Sequence, residues 1–261
     1  MHQETRNFPA TAPIFVDISD GSGSVELRAS AVDQVTVEVS GHNERTVREA
    51  TIEFTDNVLR VSPPPQSSGS SHGLDIRVTV PERSSAKIRS GSADVHCAGT
   101  LQELRIGTGS GEIQAEHVTG DAELKSGSGD IEIDTVGGTA KLNSASGDVR
   151  VSSAIRAELG TASGDISARR VESSVHATTA SGSIDISSLS GSAALRGVSG
   201  DVHVGLAPGL AARLDVSSLT GEVSSELAVS DEAAAGDPVD IAASTVSGDI
   251  SIRRAAAVSH Q

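Results

Sequence analysis

One spacing constrains this chain more than any other feature. Glu112, Asp130 and Asp148 sit in GSGEI, GSGDI and ASGDV, each 18 residues after the last. The same ruler finds Asp94 upstream. Downstream it reaches Asp165 (17 residues on), Ser183 and Asp201 (18 each), then Glu222 and Asp249 at wider intervals of 21 and 27. A fixed period of this length marks a stacked array of one supersecondary unit.

Within one unit the pattern is that of strands. Ile131 and Ile133 alternate with acidic residues, Val136 follows, and Gly137-Gly138 interrupts. Ala140 and Leu142 then alternate with polar residues. Alternation of period two sends one set of side chains inward and the other out. The template predicts inward positions at Val95, Cys97, Leu104 and Ile106, at Ile113, Ala115, Val118, Ala122 and Leu124, and at Ile166, Ala168, Val171, Val175 and Ala177. It continues at Ile184, Ile186, Leu189, Ala193 and Leu195. No single unit can bury such a face, so neighbours must stack. Two arrangements satisfy this: a meander of antiparallel hairpins, and a parallel β-solenoid in which equivalent residues stand one strand spacing apart, ~4.8 Å. The second explains why both turns of the unit keep different, fixed sequences. The expected fold is therefore all-β: a parallel, right-handed β-solenoid of ~18-residue coils with an N-terminal β cap.

Composition agrees with narrow coils. Only 36% of residues are apolar, with three Phe and no Trp or Tyr, so a bulky globular core is not available. A net charge of −15 argues against nucleic acid and anionic membrane as partners, since both call for cationic surface. Cys97 is the only cysteine, which excludes an internal disulfide. Its template position predicts a buried, inert thiol. No apolar run has the length of a signal peptide or of a membrane span, so a cytoplasmic location is expected.

In chain order, residues 1–12 read as a loose lead and 13–90 as a cap with lead-in coils. Strands are expected at 14–18, 24–29, 34–39, 51–54 and 58–61, with a tight turn at Thr55-Asp56-Asn57. Asp20-Gly21-Ser22-Gly23-Ser24 foreshadows the repeat without its period. The segment 62–73, rich in Pro, Ser and Gly, reads as a loop. The array proper is expected over 91–254, with a loop insertion at 228–238 and a tail at 255–261. Arg253 and Arg254 would guard its terminal edge against strand addition.

Three constellations carry candidate chemistry. The first is the acidic ladder, in which Glu112, Asp130, Asp148 and Asp165 are candidate Ca2+ ligands if stacking brings carboxylates together. The bland alternative is that each carboxylate accepts backbone N–H bonds in its turn. The second is a serine ladder of Ser110, Ser128, Ser146, Ser163, Ser181 and Ser199, expected to satisfy turn backbone. The third is a set of scattered histidines (His96, His117, His176, His203), none at metal-ligand spacing. GSGEIQAEHVTG lacks the lysine and the following helix of a phosphate loop.

The recurring [ST]-G-[DE]-[IV] units, from Ser110–Ile113 to Ser247–Ile250, and the lead-in VTVPERSSAKIRS at Val78–Ser90 resemble a bacterial family of adhesin-like β-strand-repeat proteins of unknown function. The resemblance covers residues 13–254 and implies a repeat fold and a binding role, with no catalytic residues to carry over. The expected function is a non-enzymatic binding or scaffold module without a cofactor, Ca2+ apart. Its partner would be a protein or another copy of itself, leaving monomer and end-to-end oligomer open. The alternative is a carbohydrate-active β-helix enzyme using paired carboxylates, although the array lacks the aromatic platforms that sugars usually meet.

Overall fold

The computed structural model describes residues 1–64, 73–227 and 238–255, and they form an all-β chain with one short helix. The chain divides into two compact units, Met1–Gly137 and Gly138–Gln261.

The first unit opens with β1 (His2–Pro9), β2 (Phe15–Asp20), β3 (Gly23–Ser30), β4 (Gln34–Gly41), helix α1 (Glu44–Arg48), β5 (Thr51–Thr55) and β6 (Val58–Ser62). The rungs follow as β7 (Leu74–Pro81), β8 (Ser85–Ser90), β9 (Asp94–Leu101), β10 (Leu104–Thr108), β11 (Ile113–Val118) and β12 (Ala122–Ser126). β13 (Ile131–Ser144) runs across the boundary between the units. One repeat supplies two strands. β11 lies parallel to β13 with Ile113 beside Ile131, Ala115 beside Ile133 and Val118 beside Val136. β10 lies parallel to β12 with Leu104 beside Ala122 and Ile106 beside Leu124. Like stacks on like at the sequence period, and the inward positions read from the template are all buried.

Stacking order departs from chain order at the start. On one side of the rungs the order is β6, β2, β8, β10, β12. On the other it is β7, β3, β9, β11, β13. The pair β2/β3 is thus inserted between β6/β7 and β8/β9, so Asp20-Gly21-Ser22 is the turn of a true rung. The stretch read as a cap is partly array, and the cap proper is antiparallel: β4 on β7, β1 on β4, β5 on β6.

Residues 2–9 correct the reading of a loose lead. They form β1, paired with β4 over eight residues from His2–Gly41 to Pro9–Gln34, and Phe8 meets the ring of Phe54 at 5.4 Å. The lead reads as loose in sequence because most of its side chains are exposed and polar. Helix α1 has no counterpart in the sequence reading. Asn43 caps it by accepting from the Arg45 and Thr46 amides, and Val47 is buried beneath it. Five residues are too few to show helical periodicity. The turn at Asp56-Asn57 is present, with positive φ at both residues, as a tight hairpin requires.

The second unit contains the rest of β13, then β14 (Val149–Ser163), β15 (Ile166–Ser181), β16 (Ile184–Leu189), β17 (Ser192–Ser199) and β18 (Val202–Leu206). β19 (Ala212–Ser218), β20 (Val223–Ser225), β21 (Val239–Thr245) and β22 (Ile250–Arg254) complete it. β14 and β15 are long because each combines the two strands of one repeat, with a register shift at Ala154/Arg156. Here too order is broken. β21 lies between β17 and β19, and β22 lies between β18 and β20. The expectation that Asp249–Arg253 ends the array is therefore wrong. The outermost rung is β19/β20, and Arg253 and Arg254 belong to an interior strand. The wide intervals at Glu222 and Asp249 are the trace of this exchange. Residues 65–72, most of the insertion at 228–238 and the tail from 256 lie outside the described residues.

Candidate functional site

Three letters of the S-G-D-[IV] unit have a physical role. The branched residue enters the core: Ile113, Ile131, Ile166, Ile184 and Ile250 are at most 1% exposed. The glycine is the point where successive turns touch. A Cβ on Gly111 would stand 1.8 Å from the Ala93 carbonyl oxygen, and one on Gly129 would stand 2.0 Å from that of Gly111. In the second unit the same contact runs Gly164 on Gly147, Gly182 on Gly164, Gly200 on Gly182, Gly248 on Gly200 and Gly221 on Gly248, an independent record of the exchanged order.

The acidic residues form the ladder anticipated from the period, and backbone amides occupy it. Asp94 Oδ1 accepts from the Glu112 amide at 2.9 Å. In the second unit Asp148 accepts from Asp165 (2.9 Å), Asp165 from Ser183 (2.8 Å), Asp201 from Asp249 (2.9 Å) and Asp249 from Glu222 (2.8 Å). Each of these carboxylates thus bonds the next rung. Asp148 also holds Arg150 at 2.6 Å through its other oxygen, and Glu112 holds Gln114. Among the described residues no three His, Cys, Asp or Glu side chains converge as a metal site needs.

The serine ladder expected at Ser110, Ser128 and their equivalents is exposed at every position. The hydroxyls that hold the turns lie four residues before the acid or its equivalent: Thr108, Ser126, Ser144, Thr161, Thr179 and Thr245, all buried. Thr108 Oγ1 accepts from the Gly111 amide (3.0 Å) and Ser126 Oγ from that of Gly129 (2.8 Å). Hydroxyls of this row also donate to the rung before, as Ser126 does to the Gly111 carbonyl at 3.1 Å and Thr161 to that of Gly147 at 3.0 Å. The signal is present in the sequence as a Ser or Thr recurring with the acid's own period, but the Ser-Gly dipeptide is the more conspicuous of the two. Removing a buried hydroxyl bonded on both sides carries a full desolvation cost. Ser126→Ala is expected to cost about 1–3 kcal/mol and Ser128→Ala under about 0.5 kcal/mol. Urea midpoints of the two variants check the contrast.

In the first unit one rung breaks the hydroxyl pattern. Asp20 pairs in register with Ser90, which pairs with Thr108, so a carboxyl group occupies the hydroxyl position. It is 7% exposed, and neither oxygen has an aligned hydrogen bond among the described residues. Burial pushes its pKa up to about 7, while the Gly21, Ser22 and Leu74 amides pull it down only in part. The Leu74 amide is spent on the Ser22 carbonyl. Cys97 lies in the core beside Ala115, as the template placed it. Burial pushes its thiol up to about 12, which leaves it inert.

Two grooves open beside the outward face of β3, β7, β9 and β11. Register aligns Glu38, Arg77, Glu26, His96 and Gln114 in one row. Ser40, Asp75, Ser24, Asp94 and Glu112 form a second row. A groove of 290 Å3 runs between Glu26, Asp94, His96 and Glu112. Another of 490 Å3 lies between Glu26, Glu38, Asp75 and Arg77. Arg77 bonds Glu26 at 2.7 Å and reaches Glu38 at 3.5 Å, and that bond to Glu26 holds its carboxyl below the usual range. The face is grooved, polar and predominantly anionic. Neither groove is lined by a serine, histidine and carboxylate in a hydrogen-bonded relay.

Stacked strand pairs with a polar outer face define a repeat-built, all-β protein. The chain belongs to the Toastrack DUF4097 family, whose model matches residues 15–253. Solved structures share the fold across nearly the whole chain. A candidate lipid-binding protein from Parabacteroides distasonis is 17% identical with TM-score 0.58, each chain covered to 96%. A candidate adhesin from the same organism is 15% identical with TM-score 0.55, covering 96% of this chain and 97% of that one. A candidate adhesin from Bacteroides fragilis is 15% identical with TM-score 0.52 and 97% coverage of both. No curated protein sequence matches. No helix among the described residues is long and apolar enough to cross a membrane.

Proposed function

We propose that this chain is a non-enzymatic binding module, built as a right-handed parallel β-solenoid of ~18-residue coils, that docks a cationic partner on the acidic face of its first unit. The carrying observation is the 290 Å3 groove flanked by Glu26, Asp94 and Glu112. The larger groove beside it adds Glu38 and Asp75. The net charge of −15 supports the reading, because it steers cations to the surface and repels anionic ligands. The adhesin designations of two structural neighbours support a binding role in general.

A lysine-rich peptide titrated at low and high salt tests this. Binding is expected to weaken with ionic strength, and Glu26→Gln with Asp94→Asn and Glu112→Gln is expected to weaken it about tenfold or more. The amide variants keep the acceptors that bind Arg77 and the Glu112 amide, so the fold is retained. Equal binding by the triple variant would remove the acidic face from consideration. A thermal melt in EDTA and then in millimolar Ca2+ tests the cation reading of Glu112, Asp130, Asp148 and Asp165. A Ca2+-dependent rise in melting temperature supports it, and an unchanged melt removes it.

A further inference from the structure

The outermost rung of the second unit, β19/β20, differs from every rung behind it. β19 pairs only with β21 and β20 only with β22, so each presents one unpaired strand edge among the described residues. Its inward side chains are the last of their columns. Leu214 follows Ile241 and Val216 follows Ala243, both buried, yet both last members are themselves only half-buried. Val223 follows the buried Ile250 and is 45% exposed, and Leu219 is 77% exposed. Natural sheets protect open edges with charge, proline or a cover. β1, an edge strand of the first unit, carries His2, Glu4, Arg6 and Pro9. β19 has only Arg213 and Asp215, two residues apart on the outward face.

That spacing is self-complementary. From it we infer that the β19/β20 edge pairs with the same edge of a second copy, antiparallel about a two-fold axis at Leu214. In this register Arg213 faces the partner's Asp215, Asp215 faces the partner's Arg213, and Leu214 meets its own counterpart. Ala212 meets the partner's Val216, so the inward row stays apolar. The neighbouring register, centred on Asp215, sets like charges against each other and is disfavoured. A two-fold axis closes the assembly at two copies, because each copy has one such edge. Arg213 already contacts Asp240 at 3.3 Å, which holds its head group on the outward side where the partner's carboxylate arrives. The inference goes beyond the acidic face and does not rest on it.

Sedimentation equilibrium of the full chain over a concentration series tests the pairing. A monomer–dimer equilibrium is expected for the parent. Arg213→Asp and Asp215→Arg are each expected to weaken dimerisation about tenfold to a hundredfold, since two attractive pairs become repulsive in each. Mixed together, the two variants restore attraction on both sides and are expected to form a one-to-one heterodimer. Far-ultraviolet circular dichroism confirms that each variant is folded, and the substituted side chains are solvent-exposed. A parent that stays monomeric into the millimolar range overturns the inference. So does a dimer unaffected by either substitution. A dimer that forms only on deleting residues 228–237 also overturns it, by making that segment the occupant of the edge.

Discussion

Gly111→Ala is expected to lower the melting temperature by about 6–12 °C, from a destabilisation of about 3 kcal/mol. The cause is a backbone contact rather than a strained dihedral angle. A methyl group at this position would stand 1.8 Å from the Ala93 carbonyl oxygen, an atom fixed by the neighbouring rung. Neither strand can retreat, because Ala93 is held by the Ser90 hydroxyl and Gly111 by that of Thr108. The rungs must separate locally, lengthening the bonds on either side of the turn. Gly107→Ala is the control. It lies in the same repeat, a Cβ added there meets nothing within 4 Å, and it is expected to change stability by under about 0.5 kcal/mol. Equal melting temperatures for the two variants would show that the turns yield, and would refute close stacking as the reason for the glycine.

Asp20→Asn is expected to stabilise the protein at pH 8 by up to about 4 kcal/mol and to flatten part of its pH dependence. The folded-state pKa of Asp20 is raised from 3.8 to about 7, so the folded state holds its proton more tightly than the unfolded chain does. The parent therefore has its full share of stability from this group below about 3.8, and loses it as the pH rises to about 7. Above that, a carboxylate 7% exposed and without aligned partners must be carried in the fold. Asparagine occupies the same volume without charge. Denaturant unfolding of parent and variant from pH 4 to pH 8 gives the difference curve. A difference that grows with pH is the expected result, and parallel curves would mean that Asp20 reaches solvent.

The strand pattern, the 18-residue register and the inward residues are all legible because each repeats with the stacking that creates it. Even the burial of Cys97 follows from its place beside Ala115. What escapes a sequence reading is everything that one period cannot encode. Chain order and stacking order are the same only while the spacing holds, so a reading along the chain puts β21/β22 and β2/β3 at ends when they are interior. β1 carries no signal of its pairing, because an outer strand shows no clean inward alternation. In the candidate site, the period aligns the acids, but which hydroxyl faces the turn depends on three-dimensional direction. Two hydroxyl rows share the period, and only burial separates Ser126 from Ser128. The grooves beside Glu26 and Asp94 join strands far apart in sequence, and no local motif announces them.

The insertion of β21/β22 beneath β19/β20 also fixes when the fold can be finished. During synthesis the outermost rung emerges first, and the rung that must lie under it emerges last. Until Ile250–Arg254 arrives, β18 has no outer neighbour and β20 has no inner one. The nascent chain cannot close this end one rung at a time in the order of translation. β19/β20 can dock only after β21/β22 has joined β17/β18, so a ribosome that stalls before residue 239 leaves β17 and β18 with open edges and β19/β20 with no rung to join.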